Sequence, residues 1–293
     1  MAIGALAIEP WGLIDVPVAP VRSKPSHAAE QVTQGILGNP VRLDSLTANG
    51  WYAVEMPDGY HGYIRANGIR PISQEMFDDW RHATRYMVLV PYLPLQKEDG
   101  SPDGYATMGA IVPFKSVELK ADHSSQSILD MRRLIWSRGP VGNVQTLLER
   151  ASTMLGNPYI WGGTSSLGPD CSGFTQMLYK TEGWLLPRDT SEQILCGQEV
   201  EGLENALPGD LLFFAEDGVK VDHVGLYLGD GRMINSSGRV CIYRLTPDAP
   251  GSEPLYQDPL IAVRRILGVE NPAGVQPLGK SPWYSLPDAH RRR

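Results

Sequence analysis

Hydrophobic periodicity changes once along this chain, near Asn143, and that change limits the folds open to it. From Val16 to Ile72 the apolar residues come in short β-type pieces: VPVAPVR (16–22), VRLDSL (41–46), WYAVEM (51–56) and YHGYI (60–64). Asn49-Gly50 and Asp58-Gly59 stand where hairpins would reverse, so a small β-barrel is expected here. A helix is expected near QEMFDDWRHA (74–83). It is followed by a second β-rich set, YMVLVPYLPL (86–95), YATMGAIVPF (105–114) and KSVELKA (115–121), broken by the loop QKEDGSPDG. That set suggests a second small barrel.

After Asn143 the spacing lengthens to three and four. Val144, Leu147, Leu148, Ala151, Met154 and Leu155 fall on one face of an amphipathic helix ending at Gly156. A second helix is expected to start at Cys171, bury Phe174, Met177 and Leu178, and stop near Gly183. Strand-like runs follow: DLLFF, HVGLYLG, RMINSS, CIYRL and LIAVRRIL. Helices first and an antiparallel sheet afterwards make an α+β domain. The expected divisions are 1–72, 73–140, 141–270 and a Pro- and Gly-rich extension, 271–293, running over the surface.

Composition removes several classes of function. The 293 residues carry 26 basic and 33 acidic groups, and the basic cluster HRRR at the end is a solvated terminus, so nucleic acid is not an expected partner. No apolar run approaches a membrane span, and the segment MAIGALAIEPW, interrupted by Glu9 with no basic segment ahead of it, does not read as a secretory signal. Cys171, Cys196 and Cys241 are too few and too scattered for a disulfide framework or a zinc site, which suits a reducing, cytoplasmic setting without a metal or organic cofactor.

Cys171 stands between a glycine-rich loop and a helix start. A thiolate is the reactive form of cysteine, and a helix N-terminus beside a cationic histidine lowers a thiol's pKa. Asp170 takes the cap position, while the N–H groups of Ser172 and Gly173 lie near the reacting atom and suit an oxyanion. The base is sought in VDHVGLYLGDGRMINSSG (221–238). Alternation puts His223, Gly225 and Tyr227 on one strand face, with Gly225 leaving room for a substrate. An odd-numbered loop centred near Gly229 to Asp230 places Asn235 on the same face, opposite His223 or one step diagonal to it. Cys171, His223 and Asn235 then have the roles of nucleophile, base and orienting amide.

The segments NPYIWGGTSSLGPDCSGFTQMLYKTEGWLLPRDTSEQ, LPGDLLFF and DHVGLYLGDGRMINSS occur in this order across residues 143–267 and resemble the NlpC/p60 cysteine peptidases, papain-like hydrolases of bacterial cell-wall peptides. The resemblance implies that Cys171 is the nucleophile and His223 the base. It puts Asn235 at the third polar position, where many relatives carry His, and Tyr159 close to the nucleophile. Residues 24–64 resemble a bacterial SH3-type domain. Two such domains ahead of a peptidase are similar to γ-D-glutamyl-L-diamino acid endopeptidases, in which the first barrel closes one end of the cleft and selects a free N-terminal L-alanine. The resemblance therefore implies substrate contacts at Glu30, Tyr60, Asp170, Ser172 and Ser191, with Tyr63 competing with Tyr60 and Thr190 with Ser191. Murein-derived peptides such as L-Ala-γ-D-Glu-meso-diaminopimelate become the expected partners, and murein recycling the expected role. Two alternatives stand beside it: an exported endopeptidase acting on intact murein, and an inert cell-wall-peptide binding protein.

Overall fold

The computed structural model describes residues 8–97, 99, 101–113, 131–133 and 142–285. Seven strands form the first sheet: β1 (Trp11–Ile14), β2 (Val18–Arg22), β3 (Gln31–Ile36), β4 (Pro40–Leu46), β5 (Trp51–Glu55), β6 (His61–Arg65) and β7 (Ile69–Ile72). Their spatial order is β3-β2-β6-β5-β4-β1-β7, and every pairing is antiparallel. Alternate residues Ile14, Val21, Val41, Val54 and Ile64 point into a common apolar core. Asn49-Gly50 and Asp58-Gly59 do lie in the turns between strands, and both glycines have positive φ. Strands β1, β3 and β7 were not among the expected pieces.

Helix α1 (Gln74–His82) begins at Ser73, whose hydroxyl accepts the Met76 N–H. The run 86–95 is divided into β8 (Arg85–Val88) and β9 (Tyr92–Gln96), and the run 105–114 into β10 (Pro102–Thr107) and β11 (Ile111–Pro113). Gly109, at φ 82°, turns the chain between the last two. Strands β9 and β10 pair as a hairpin, while β11 and β12 (Met131–Arg133) flank β8. The expected strand 115–121 lies outside the described residues.

Helix α2 (Val144–Ser152) is capped by Asn143 and buries Leu147 and Ala151. It stops at Ser152 rather than Gly156, so Leu155 is 46% exposed and leaves the apolar face expected for it. Helix α3 (Cys171–Thr181) packs against α2 and then leads through β13 (Trp184–Leu185) to the short α4 (Thr190–Gln193). The sheet beneath contains β14 (Gln198–Val200), β15 (Leu211–Phe214), β16 (His223–Gly229), β17 (Arg232–Ser237), β18 (Arg239–Arg244) and β19 (Leu260–Arg265). It is antiparallel throughout, in the order β14-β19-β15-β16-β17-β18. Leu211, Phe213, Val224, Leu226 and Ile234 face the helices, and Leu212, Phe214, Tyr227, Met233 and Val263 form a second core on the other side. This is the expected α+β layering.

The C-terminal segment does not run over the surface. Strand β20 (Gln276–Pro277) pairs with β13, and Leu278 and Tyr284 are buried against Met87 and Ile111. The Tyr284 hydroxyl donates to Asn39 Oδ1 at 3.1 Å, and its carbonyl accepts from the Arg85 guanidinium at 2.9 Å. Proline and glycine set the path of this tail, but its aromatic residues decide that it is packed.

Candidate active site

Strand β3 is the piece of the barrel that reaches the helix-bearing domain. The Gln34 side-chain oxygen accepts from the backbone N–H groups of Thr164 and Ser165, and Gln31 Nε2 donates to the Trp161 carbonyl. Glu30, exposed just before β3, accepts the Trp161 indole N–H at 2.7 Å. The loop from Asn157 to Asp170 is therefore gripped by the barrel on one side. On its other side it meets the start of α3: a Cβ at Gly173 would lie 2.0 Å from the Gly163 carbonyl oxygen, so only glycine permits this approach.

Asp170 caps α3, its Oδ1 accepting the Gly173 N–H at 2.7 Å. The same carboxylate accepts the Gly162 N–H through Oδ2 and forms a two-pronged ion pair with Arg188. Arg188, 2% exposed, also donates to Ser172 Oγ at 2.8 Å and to Thr33 Oγ1 of β3 at 3.1 Å. Every acceptor direction of Asp170 is thus occupied, and Ser172 Oγ is bound between Asp170 and Arg188. Their side chains brace the helix start rather than receive a substrate ammonium. Gly173 is corrected as well, because its N–H belongs to the cap and leaves Ser172 as the N–H donor near the thiol.

Cys171 is the first residue of α3 and 7% exposed. Strands β16 and β17 pair from Leu226–Ile234 to Gly229–Arg232. Their ladder ends at Leu226, and just before it the Val224 backbone lies close enough to the Cys171 thiol to favour its anion. The thiol is thereby held one residue from His223. The His223 ring is stacked on Tyr256 with centroids 5.6 Å apart and an interplanar angle of 24°, and the same Tyr256 hydroxyl is close enough to Cys171 to feel its charge. Phe214, opposite it on β15, closes the second side.

Asn235 lies on the same sheet face as His223, diagonal to it, as the loop argument anticipated. The space beside Gly225 is not open to a substrate, because a Cβ there would meet Met233 Sδ at 2.9 Å and Asn235 Cβ at 3.3 Å. Asn235 is fully buried and close enough to the imidazole to favour its protonated form. Yet neither amide atom makes a hydrogen bond of good geometry among the described residues, and neither does His223 Nε2. These atoms belong to two neighbouring buried side chains, one of them an imidazole, which makes the pair a candidate for catalysis.

Burial decides the resting charges. It pushes the Cys171 thiol up, and the Asp170 carboxylate adds to that, outweighing the donors Thr190, Val224 and Ser172. It pushes His223 down, against the carboxylates of Asp222 and Asp258 and the Asn235 amide. Both directions run against the lowering of the thiol pKa expected from the helix N-terminus and favour thiol and neutral imidazole at rest. A raised thiol pKa leaves less thiolate at neutral pH than a free cysteine has. Alkylation of Cys171 by iodoacetamide, followed by peptide mass spectrometry, should keep accelerating as pH rises through and beyond the ordinary thiol range. A rate already level below neutrality would mean a preformed ion pair. Cys196, pushed up to about 11 by burial, is resolved from it by the peptide map.

The remaining expected residues surround this point. Tyr159 lies near the thiol, and burial followed by the charges of Cys171 and Asp170 pushes its hydroxyl up. Thr190 Oγ1 is 3.8 Å from Cys171 Sγ, whereas Ser191 is exposed, so the hydroxyl facing the thiol is that of Thr190. Burial, and then the Asp189 carboxylate beside it at the seam between barrel and sheet domain, push the Tyr60 hydroxyl up; Tyr63 stays within the barrel, opposite Arg22 and Ala53. Arg188, Asp189 and Tyr256 were not singled out from the sequence. A signal for Arg188 existed, since an arginine following Leu185, Leu186 and Pro187 is drawn inward and then needs an anionic partner. Tyr256, in the loop between β18 and β19, had none. No group of His, Cys, Asp or Glu among the described residues is arranged to hold a metal ion.

Comparison with known proteins adds independent findings. Residues 156–264 match the NlpC/P60 family, and residues 21–69 match the bacterial dipeptidyl-peptidase SH3 domain. The chain is similar to a γ-D-glutamyl-L-lysine dipeptidyl-peptidase of Bacillus subtilis, 40% identical over 129 residues, which is 42% of this chain and 41% of that protein. A Bacillus cereus protein of the same name is 46% identical over 99 residues, 33% of this chain and 29% of the relative. The matched stretch is thus less than half the length of either relative. A crystal structure of an NlpC/P60 family protein from Bacillus cereus covers 87% of this chain and 99% of its own, with a TM-score of 0.71 and 24% identity, a likeness of fold.

Proposed function

Because residues 156–264 form a domain of the NlpC/P60 family and residues 21–69 a bacterial dipeptidyl-peptidase SH3 domain, we propose that the protein is a cysteine peptidase of cell-wall peptides. Its substrates are free peptides with an unblocked N-terminal L-alanine, cut between γ-D-glutamate and the diamino acid, as in cytoplasmic murein recycling. What supports this reading is that barrel residues touch the two segments bordering Cys171 and Thr190 in the chain: Glu30 accepts the Trp161 indole N–H, and Tyr60 lies beside Asp189, next to the Thr190 whose hydroxyl is 3.8 Å from the thiol. Two carboxylates and a phenol suit an ammonium group, and a barrel standing at that end would oppose a peptide extended there.

In the proposed reaction His223 takes the proton from Cys171 as sulfur attacks the γ-carbonyl carbon. The N–H of Ser172 faces the charge that forms on oxygen. His223 then gives its proton to the departing amine, leaving the L-Ala-γ-D-Glu acyl group on sulfur. Water, deprotonated by His223, releases it and restores the thiol. Asn235 holds the ring without adding charge.

The test is mass spectrometry of products from L-Ala-γ-D-Glu-meso-diaminopimelate, its N-acetylated form and intact murein. Cleavage is expected for the free amine alone. Glu30→Gln should lower kcat/KM for it by about 10- to 100-fold, the loss of a hydrogen bond to a charged group. Equal attack on the blocked peptide overturns the recycling reading, and release of peptides from intact murein favours the endopeptidase.

A further inference from the structure

The barrel contains a second pocket, lined by barrel residues alone and outside the cleft. Its volume is about 190 Å³. Its floor is the barrel's own core, formed by Ala19 and Ile64, 2% and 1% exposed, with Trp51 beside them. Its lining is completed on the polar side by Arg22, His27 and Arg65. The Arg65 guanidinium stands 5.5 Å from the centre of the Trp51 ring, and the His27 ring meets the same indole edge-on at 4.9 Å.

Arg22 and Arg65 differ in their partners from several other arginines. Arg42, Arg70, Arg81, Arg188, Arg264 and Arg265 each pair with a carboxylate. Among the described residues no carboxylate lies within ion-pair distance of Arg22 or Arg65, although the chain carries a net charge of −7. Backbone carbonyls fix them instead: Arg22 donates to Ala29 at 2.9 Å and Arg65 to Asn49. Each bond uses one N–H and leaves the rest of the guanidinium fork for another acceptor.

An apolar cavity with two uncompensated guanidinium groups is suited to an amphiphilic anion. We propose that this pocket binds a small organic anion, its apolar body against the accessible Val16 and Pro20 beside Trp51 and its carboxylate or phosphate group held by Arg22 and Arg65. The site is independent of the peptidase reading and is expected to persist in Cys171→Ala.

The test follows the indole N–H signals of the full chain by NMR, with Trp51 assigned from Trp51→Phe. The probes are benzoate, phenyl phosphate and the uncharged benzyl alcohol. At least one anion should shift the Trp51 signal saturably, and the tighter one identifies the head group. Benzyl alcohol should bind at least tenfold more weakly. Arg22→Gln/Arg65→Gln, its fold checked by retained signal dispersion, should weaken the anion at least tenfold. No saturable shift with either anion overturns the proposal, as does equal binding of benzyl alcohol or, in a folded double variant, undiminished anion binding.

Discussion

Cys171→Ala is expected to lower kcat/KM for the free tripeptide by about 10⁴-fold or more, because the proposed reaction forms its acyl intermediate on that sulfur. The measurement is the rate of diaminopimelate release by liquid chromatography. Far-UV circular dichroism should be unchanged, since alanine fits the first turn of α3 and keeps the Asp170 cap, which bonds through the Gly173 N–H. His223→Ala should cost a similar factor, and the double variant little more than either single one, because thiol and imidazole act as a unit. Activity retained within tenfold in Cys171→Ala would remove the thiol from the chemistry.

The second large effect falls on stability. Arg188→Met should destabilise the fold by about 3–5 kcal/mol, since it leaves the Asp170 carboxylate buried without its countercharge. It also removes the bonds to Ser172 and to Thr33, and so loosens the barrel from the helix start. Urea unfolding followed by tryptophan fluorescence measures the loss. Asp170→Asn/Arg188→Met, which keeps an acceptor for the cap and buries no charge, should recover more than half of it. A change below about 0.5 kcal/mol in the single variant would show that this ion pair is worth no more than an exposed one.

Those two residues also show where sequence reading succeeds and where it stops. Cys171, Asp170, His223 and Asn235 were legible because local rules place them: a cap before a helix, alternation along β16, and the parity of one turn. Arg188 and Tyr256 sit in connections, where no period assigns a side chain to a face, and their partners are 18 and 33 residues away in Asp170 and His223. Strand β3 escaped notice because Gln31, Thr33 and Gln34 carry polar side chains whose partners, Trp161, Arg188, Thr164 and Ser165, belong to the other domain. Their amides and hydroxyl read as surface until the interface is seen.

The thiol's pKa illustrates a different limit. Helix position is local and favours the anion, whereas desolvation depends on everything packed around the sulfur, including Val224 and Thr190. The tail from 271 failed for the same reason, because Leu278 and Tyr284 are buried by Met87 and Ile111 from a remote segment. In both cases the missing information is what a remote segment packs against the residue.

In the proposed reaction the sulfur of Cys171 carries the acyl group during turnover. Acid-quenched mass spectrometry of the protein mixed with L-Ala-γ-D-Glu-meso-diaminopimelate measures this directly. The predicted result is a transient protein species heavier by one L-Ala-γ-D-Glu acyl group, mapped to the peptide containing Cys171 and missing in Cys171→Ala. Product accumulating with no such adduct, at the same rate in both proteins, would contradict it.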